Sequence, residues 1–243
     1  KAKMIYEENF KIGLKDIGKN NLIKNKAILE MLENIGAFQS DLVGYGINDI
    51  IKNKITWILL EWDLKVIDRP EYGNELKIRT WARSANRFFT YRDFEIYVKD
   101  KLVAVATSKW ALVDIEKRKI AIITEEIIKA YKMEDKSVLK IDNLEKIKMP
   151  EKFENIVKYE IKRRDIDVNK HLHNLYYLDL AYEALPEDIY NNKRPFNNVK
   201  IVYKKEIKLG DIVNCEYSKV EGKHVIIIKD QEEQKVHAII ELY

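Results

Sequence analysis

The sequence predicts an α+β fold built twice over, each half a long helix wrapped by an antiparallel β-sheet. Three observations predict it. Apolar residues recur at helical spacing in two places, at Ile28, Met31, Leu32 and Ile35 and again at Leu175, Leu178, Tyr182 and Leu185. Each helix is followed by several runs rich in β-branched and aromatic residues, separated by turn signals. The halves also lie over one another without gaps. Asp16-Ile17 falls on Asp165-Ile166, Asn20 on Asn169, Asn25 on Asn174, and Ile28-Leu29-Glu30 on Tyr177-Leu178-Asp179. A helix that is apolar over much of its surface needs cover on several sides, and a curled meander supplies it.

The elements follow in order. NFKIGLKDIG is extended. LIKNKAILEMLENIGAF carries the first helix, with Gly36 as a stop signal. The runs TWILLEWDLKVID, NELKIRTWARS, FTYRDFEIYV and KLVAVATSKWALVDI are strands, parted by RPEYGN at 69–74, SAN at 84–86 and KDK at 99–101. Residues 116–155 are Lys- and Glu-rich, a polar connection with a short helix near 124–132. The pattern then restarts. KYEIKRRDID is extended, Pro186 closes the second helix, and NVKIVYKKEIKL, DIVNCEYSKV, KHVIIIKD and KVHAIIELY are strands. The expected division is a first repeat at 1–125, a linker at 126–155 and a second repeat at 156–243.

Composition narrows the function classes. Lys and Arg number 44 against 40 Asp and Glu, a net charge of +4. That balance, without a basic run interleaved with aromatics, argues against nucleic-acid binding. The single cysteine, Cys215, excludes an internal disulfide framework and a Cys-rich metal site, and fits a reducing, cytoplasmic setting. Runs such as ITWILLEW (55–62) and VIII (225–228) are too short to span a bilayer, and KAKMIYEENF lacks a signal-peptide apolar stretch. The chain has no G-x-S-x-G, Walker or G-x-G-x-x-G motif.

The repeat makes the stretch RRDIDVNKHLHN (163–174) informative. Where the second half has Asp167, the first has Gly18; where it has His171, the first has Leu22. Residues that merely capped a helix would be wanted in both copies. In an extended segment, Asp167, Asn169 and His171 would project to one side. Asn174 would cap the following helix, whose first free N–H groups, around His173 and Asn174, would serve a developing oxyanion. Two other readings stand beside this one. Asp and Asn favour turns and helix starts for local reasons. A metal held by Asp167, His171 and His173 is the other, but the two histidines sit where the chain bends from strand to helix, and no further strong ligand is near in sequence.

RRDIDVNKHLHNLYYLDLAYEALP resembles the catalytic segment of the acyl-acyl-carrier-protein thioesterases, a pattern close to D-x-D-x-N-x-H-V-N-N-x-x-Y. Asp165, Asp167, Asn169, His171, Asn174 and Tyr177 match, and His173 replaces the first Asn of the N-N pair. IVYKKEIKLGD (201–211) resembles the family's Y-R-R-E-C segment, with Glu206 at the catalytic Glu and Ile207 where some members carry Cys. RPEYGNELKIRTW, YRDFEIY and ATSKWALVDIEKRK resemble first-repeat segments.

The resemblance implies a tandem "double hot-dog" fold and hydrolysis of fatty acyl-acyl carrier protein to free fatty acid. Asp167, Asn169, His171 and Glu206 would be catalytic, with no cofactor. Glu206 would act as base on water, with a pKa raised by burial beside apolar strands. Direct attack by a carboxylate is the alternative. The acyl chain would lie between helix and sheet, with Met31, Trp57, Trp62 and Trp81 as candidates for closing the slot. Arg163, Arg164, Lys204 and Lys205 would form a basic rim for the acidic carrier. The chain would be a monomer or a homodimer. Rival classes on the same fold are an acyl-CoA thioesterase, a hydroxyacyl dehydratase and a non-catalytic acyl-thioester sensor.

Overall fold

A computed structural model describes residues 5–84, 86–139, 144–192, 194–232 and 234–243. The chain forms two compact units, 1–144 and 145–243. In the first, strand β1 (Tyr6–Lys11) leads to helix α1 (Asn25–Leu42) and the short α2 (Ile50–Asn53). Strands β2 (Ile55–Val66), β3 (Glu75–Ser84), β4 (Phe89–Val98), β5 (Lys101–Asp114) and β6 (Lys119–Ile120) follow, then α3 (Glu125–Tyr131). The second unit contains β7 (Asn155–Glu160), α4 (Tyr176–Glu183), α5 (Glu187–Tyr190), β8 (Asn198–Tyr203), β9 (Ile212–Val220), β10 (Lys223–Asp230) and β11 (Val236–Leu242).

Both units use the same strand order. The first runs β1-β3-β4-β5-β2 and the second β7-β9-β10-β11-β8, antiparallel within each. The tandem repeat read from the sequence is thus a repeat of topology.

Helix α1 buries Ala27, Ile28, Met31, Leu32, Ile35, Gly36 and Gln39, the stripe that its spacing predicts. Leu32, Ile35, Leu76, Ile78 and Phe94 are fully buried and form part of the first unit's core. Gly36 does not stop the helix, which runs six residues further. A Cβ there would lie 3.2 Å from Cδ of Arg92, so the glycine makes room for that buried side chain beneath the helix. Gln39 and Thr80 accept hydrogen bonds from the Arg92 guanidinium, which burial pushes down to about 10. Trp62 and Trp81 are fully buried, and Trp57 donates its indole N–H to Tyr131 Oη at 2.9 Å. The helix read near 124–132 is α3, with Thr124 Oγ1 accepting from the Ile127 N–H.

Helix α4 is shorter than its partner in the repeat, yet it buries Tyr177, Leu178, Leu180 and Ala181. Pro186 sits at its end and caps α5. The VIII run of β10 is apolar on both faces because both are covered. Val225 and Ile227 pack with Ile239, Ile147 and Phe153, while α4 contacts β10 and β11. No helix among the described residues is long and apolar enough to cross a membrane.

Candidate active site

The polar segment begins on a turn shared by both units. Asp165 is buried, and its Oδ2 accepts from the Lys162 N–H (2.8 Å) and the Tyr159 hydroxyl (2.9 Å). Asp16 does the same for Gly13 N–H at 2.8 Å in the first unit. Asp165 therefore holds backbone, and both repeats need it.

Residues 167–170 then form a tight turn rather than the extended run expected. Asp167 N–H donates to His171 O (2.9 Å), Lys170 N–H donates to Asp167 O (3.0 Å), and Lys170 takes a φ of 63°. An Ile166–Leu172 bridge closes the turn. The cause is local: the Asp167 carboxylate accepts from the N–H groups of Asn169 (2.8 Å) and His171 (3.3 Å), which folds the chain back on itself. Gly18 N–H donates to Leu22 O at 2.9 Å beside an Ile17–Ile23 bridge, so the first unit makes the same turn without a carboxylate. The Asn169 side chain is exposed. Alternation therefore does not align Asp167, Asn169 and His171. Asp167 acts on the backbone N–H of the other two.

Glu206 reaches this turn from a loop. Strand β8 ends at Tyr203, not beyond Glu206 as its apolar pattern suggested. Leu172 N–H donates to Ile207 O at 2.7 Å, and His171 bridges Lys208. The loop is turned by Gly210 (φ 84°) and by Asp211, whose carboxylate accepts from Lys208 N–H at 2.8 Å. This seam brings His171 Nε2 to 3.2 Å from Glu206 Oε2. The first unit builds the same seam, with Ile23 N–H to Pro70 O at 3.0 Å and a Leu22–Glu71 bridge. That register puts Arg69 where the second unit has Glu206, so the His–Glu pair belongs to one repeat only. The burial expected of Glu206 is absent: its side chain is 59% exposed and that of His171 30%. Leaving the strand is what frees the carboxylate from the apolar layer.

The helix start also differs from expectation. Helix α4 begins at Tyr176 with Leu175 at the cap position, so Asn174 is not the cap. His173 lies just ahead of that cap: its Nδ1 accepts from Leu175 N–H (3.3 Å) and its carbonyl from Tyr176 N–H (2.9 Å). The two N–H groups are thereby engaged locally. Asn174 O accepts from the Tyr203 hydroxyl at 2.7 Å, tying the helix start to the end of β8. Tyr203 meets Tyr177 edge to face at 5.1 Å, and burial raises the Tyr177 phenol above its ordinary value. Sequence reading did not assign Tyr203 a role, though it is the first residue of the Y-K-K-E segment.

Arg163, Arg164, Lys204 and Lys205 are all exposed. Among the described residues no cluster of His, Cys, Asp or Glu is arranged to hold a metal ion. Cys215 is buried, and burial pushes its thiol up to about 12, as expected of a core thiol.

Comparison with known proteins adds three findings. Residues 3–131 match the model of the acyl-ACP thioesterase N-terminal domain, and residues 148–242 that of the acyl-ACP thioesterase C-terminal domain. The oleoyl-acyl carrier protein thioesterase 1, chloroplastic, of Arabidopsis thaliana is 22% identical over 226 residues, 86% of this chain and 62% of the relative. The palmitoyl-acyl carrier protein thioesterase, chloroplastic, of the same plant is 21% identical over 255 residues, covering 93% and 61%. This chain thus spans about six-tenths of the length of these curated relatives. Among solved structures, the 12:0-ACP thioesterase from Umbellularia californica superposes with a TM-score of 0.87 at 17% identity, over 99% of this chain and 96% of that one. An acyl-ACP thioesterase from Bacteroides thetaiotaomicron gives 0.79 at 21%, over 98% and 97%. These likenesses establish the tandem, double hot-dog fold.

Proposed function

This chain belongs to the acyl-ACP thioesterase family, and on that premise we propose that it hydrolyses the thioester between a fatty acyl chain and acyl carrier protein. Water adds to the thioester carbonyl, the C–S bond breaks, and free fatty acid and the carrier's thiol are released. The observation that carries the reading is the 3.2 Å approach of Glu206 to His171, in the one repeat that has both residues.

In this reading Glu206 takes the proton from the attacking water. General-base help of this kind contributes roughly 10²- to 10⁴-fold. The proton returns through the His171 imidazole to the departing sulfur. The Asn169 amide polarises the carbonyl. Asp167 does not touch the reacting atoms: by holding the N–H groups of Asn169 and His171 it keeps both side chains on one rigid turn. Turnover in heavy-oxygen water distinguishes this route from carboxylate attack, which would leave label in Asp167 or Glu206.

The acyl chain lies in the first repeat, between α1 and its sheet. Each buried methylene contributes about 0.8 kcal/mol, so a sharp length preference needs a bulky side chain as a stop. Trp62 and Trp81, fully buried in that unit, are the candidates. The exposed Arg163, Arg164, Lys204 and Lys205 form a cationic rim for an acidic carrier. Rates on carrier-bound substrate then fall steeply with added salt while rates on small thioesters hold, since screening acts on the rim alone.

A panel of carrier-bound and CoA-bound acyl chains, assayed for thiol and free acid, tests the function. Thiol release from carrier-bound chains is expected. Faster turnover of CoA esters would make it an acyl-CoA thioesterase. Hydration or dehydration without thiol, or saturable binding without turnover, would refute hydrolysis.

A further inference from the structure

Glu206 lies beyond the end of β8, and something must aim it. We propose that His237 is a positioning residue that sets the Glu206 carboxylate onto His171; this rests on the hydrolase reading above. His237 is the extra residue of a β-bulge in β11. Ile228 pairs with Ala238 and Lys229 with Val236, which leaves His237 between them. Its carbonyl accepts two successive N–H groups, from Lys204 (2.8 Å) and Lys205 (3.1 Å). Its ring is buried, at 2% exposure, with Nδ1 3.1 Å from the Lys205 carbonyl oxygen.

The first unit has the same backbone device without the imidazole. A bulge in β5, between Ile96–Ala104 and Tyr97–Leu102, leaves Val103 as the extra residue. The Val103 carbonyl accepts from Ile67 N–H (2.8 Å) and Asp68 N–H (3.1 Å). The fold therefore needs the bulge and the strap but not the ring. Val103 against His237 joins Gly18 against Asp167, Leu22 against His171, and Arg69 against Glu206. At each of these places the second repeat alone carries a group suited to the chemistry.

The geometry explains what the ring does. A carbonyl can only accept, so Nδ1 carries the proton. The Lys205 carbonyl belongs to the planar peptide unit whose nitrogen is that of Glu206. Holding that oxygen fixes the plane from which the Glu206 side chain departs. Bulges next to active sites commonly re-aim a side chain in this way. A misplacement of about 1 Å can cost roughly a hundredfold in rate, so the hold matters to kcat more than to binding.

Three measurements test this. First, nitrogen-15 spectra of the folded parent should show the His237 proton on Nδ1; a ring protonated on Nε2 alone would overturn the inference. Second, His237→Val installs the first repeat's residue and should lower kcat on carrier-bound substrate roughly ten- to a hundredfold, with KM and melting temperature little changed. Third, His237→Asn places an amide N–H where Nδ1–H stood and should restore most of the rate. Parental kcat in the folded valine variant, or equal losses in both variants, would overturn the inference. The spectra need no variant, so a valine protein that does not fold leaves the inference open to refutation. A parent that releases no thiol sinks the hydrolase reading; an active parent indifferent to His237→Val sinks only the role of His237.

Discussion

Replacing Glu206 by Gln probes the site with the least structural disturbance. The side chain is 59% exposed, and its Oε2 lies 3.2 Å from His171 Nε2. Gln keeps the shape and an oxygen able to accept from the imidazole, so the seam between Leu172 and Ile207 should persist. Surface changes of this kind move stability by about 0.5 kcal/mol or less. What Gln cannot do is take a proton from water. Losing a general base costs roughly 10²- to 10⁴-fold, which is about 3–5 kcal/mol in the barrier at roughly 1.4 kcal/mol per decade. The assay is initial-rate thiol release from carrier-bound acyl chains, with a thermal melt on the same preparation. The expected result is an unchanged melt, a near-parental KM and a kcat down by at least about a hundredfold. The pair should also act as a unit, so His171→Ala added to Glu206→Gln lowers the rate little further. A folded Glu206→Gln protein that turns over within about threefold of the parent would refute the assignment.

Three further outcomes follow from the geometry. Asp167→Ala removes the acceptor from two backbone N–H groups; at about 1 kcal/mol each, denaturant unfolding should show a loss near 1–2 kcal/mol, with kcat falling as the turn loosens. Gly46→Ala puts a Cβ 2.8 Å from the Asp41 Cα, backbone that cannot yield, and calorimetry should record a loss of about 1–3 kcal/mol with the site chemistry untouched. His224 is buried, held 2.7 Å from the Tyr217 hydroxyl, and burial lowers its pKa, so the fold favours the neutral ring. The unfolded ring titrates near ~6.5, so below that pH the unfolded chain binds the extra proton. Its contribution is therefore complete above about 6.5 and is lost progressively as pH falls from there through the lower pKa of the folded ring. His224→Gln should flatten this part of the stability profile, measured as denaturant midpoint against pH.

Much of the molecule was legible in the chain because periodicity is a local property. The stripe Ile28, Met31, Leu32, Ile35 needs only 3.6 residues per turn to become a buried face, and α1 buries those residues. The repeat was legible for the same reason: Asp16 and Asp165 fold the same local turn in each half, so the overlay pointed to Asp167 and His171 as the odd residues out. Misreadings arose where a local signal had a distant cause. Gly36 looked like a helix stop, but it is there for Arg92, 56 positions along the chain. Asn174 reads as a cap, but the cap position falls at Leu175 and the Tyr203 hydroxyl donates to the Asn174 carbonyl.

Residue types alone determined which groups are available for chemistry: Asp167, His171 and Glu206 in one repeat against Gly18, Leu22 and Arg69 in the other, with an amide, Asn169 or Asn20, in both. The tertiary structure alone decided that Glu206 leaves its strand, stays largely exposed and meets His171, and that a bulge in the last strand brings His237 to the Lys205 carbonyl. The reason is physical. Side-chain identity is carried by each residue separately, whereas a 3.2 Å approach between positions 35 residues apart exists only once backbone hydrogen bonds have closed the seam between them.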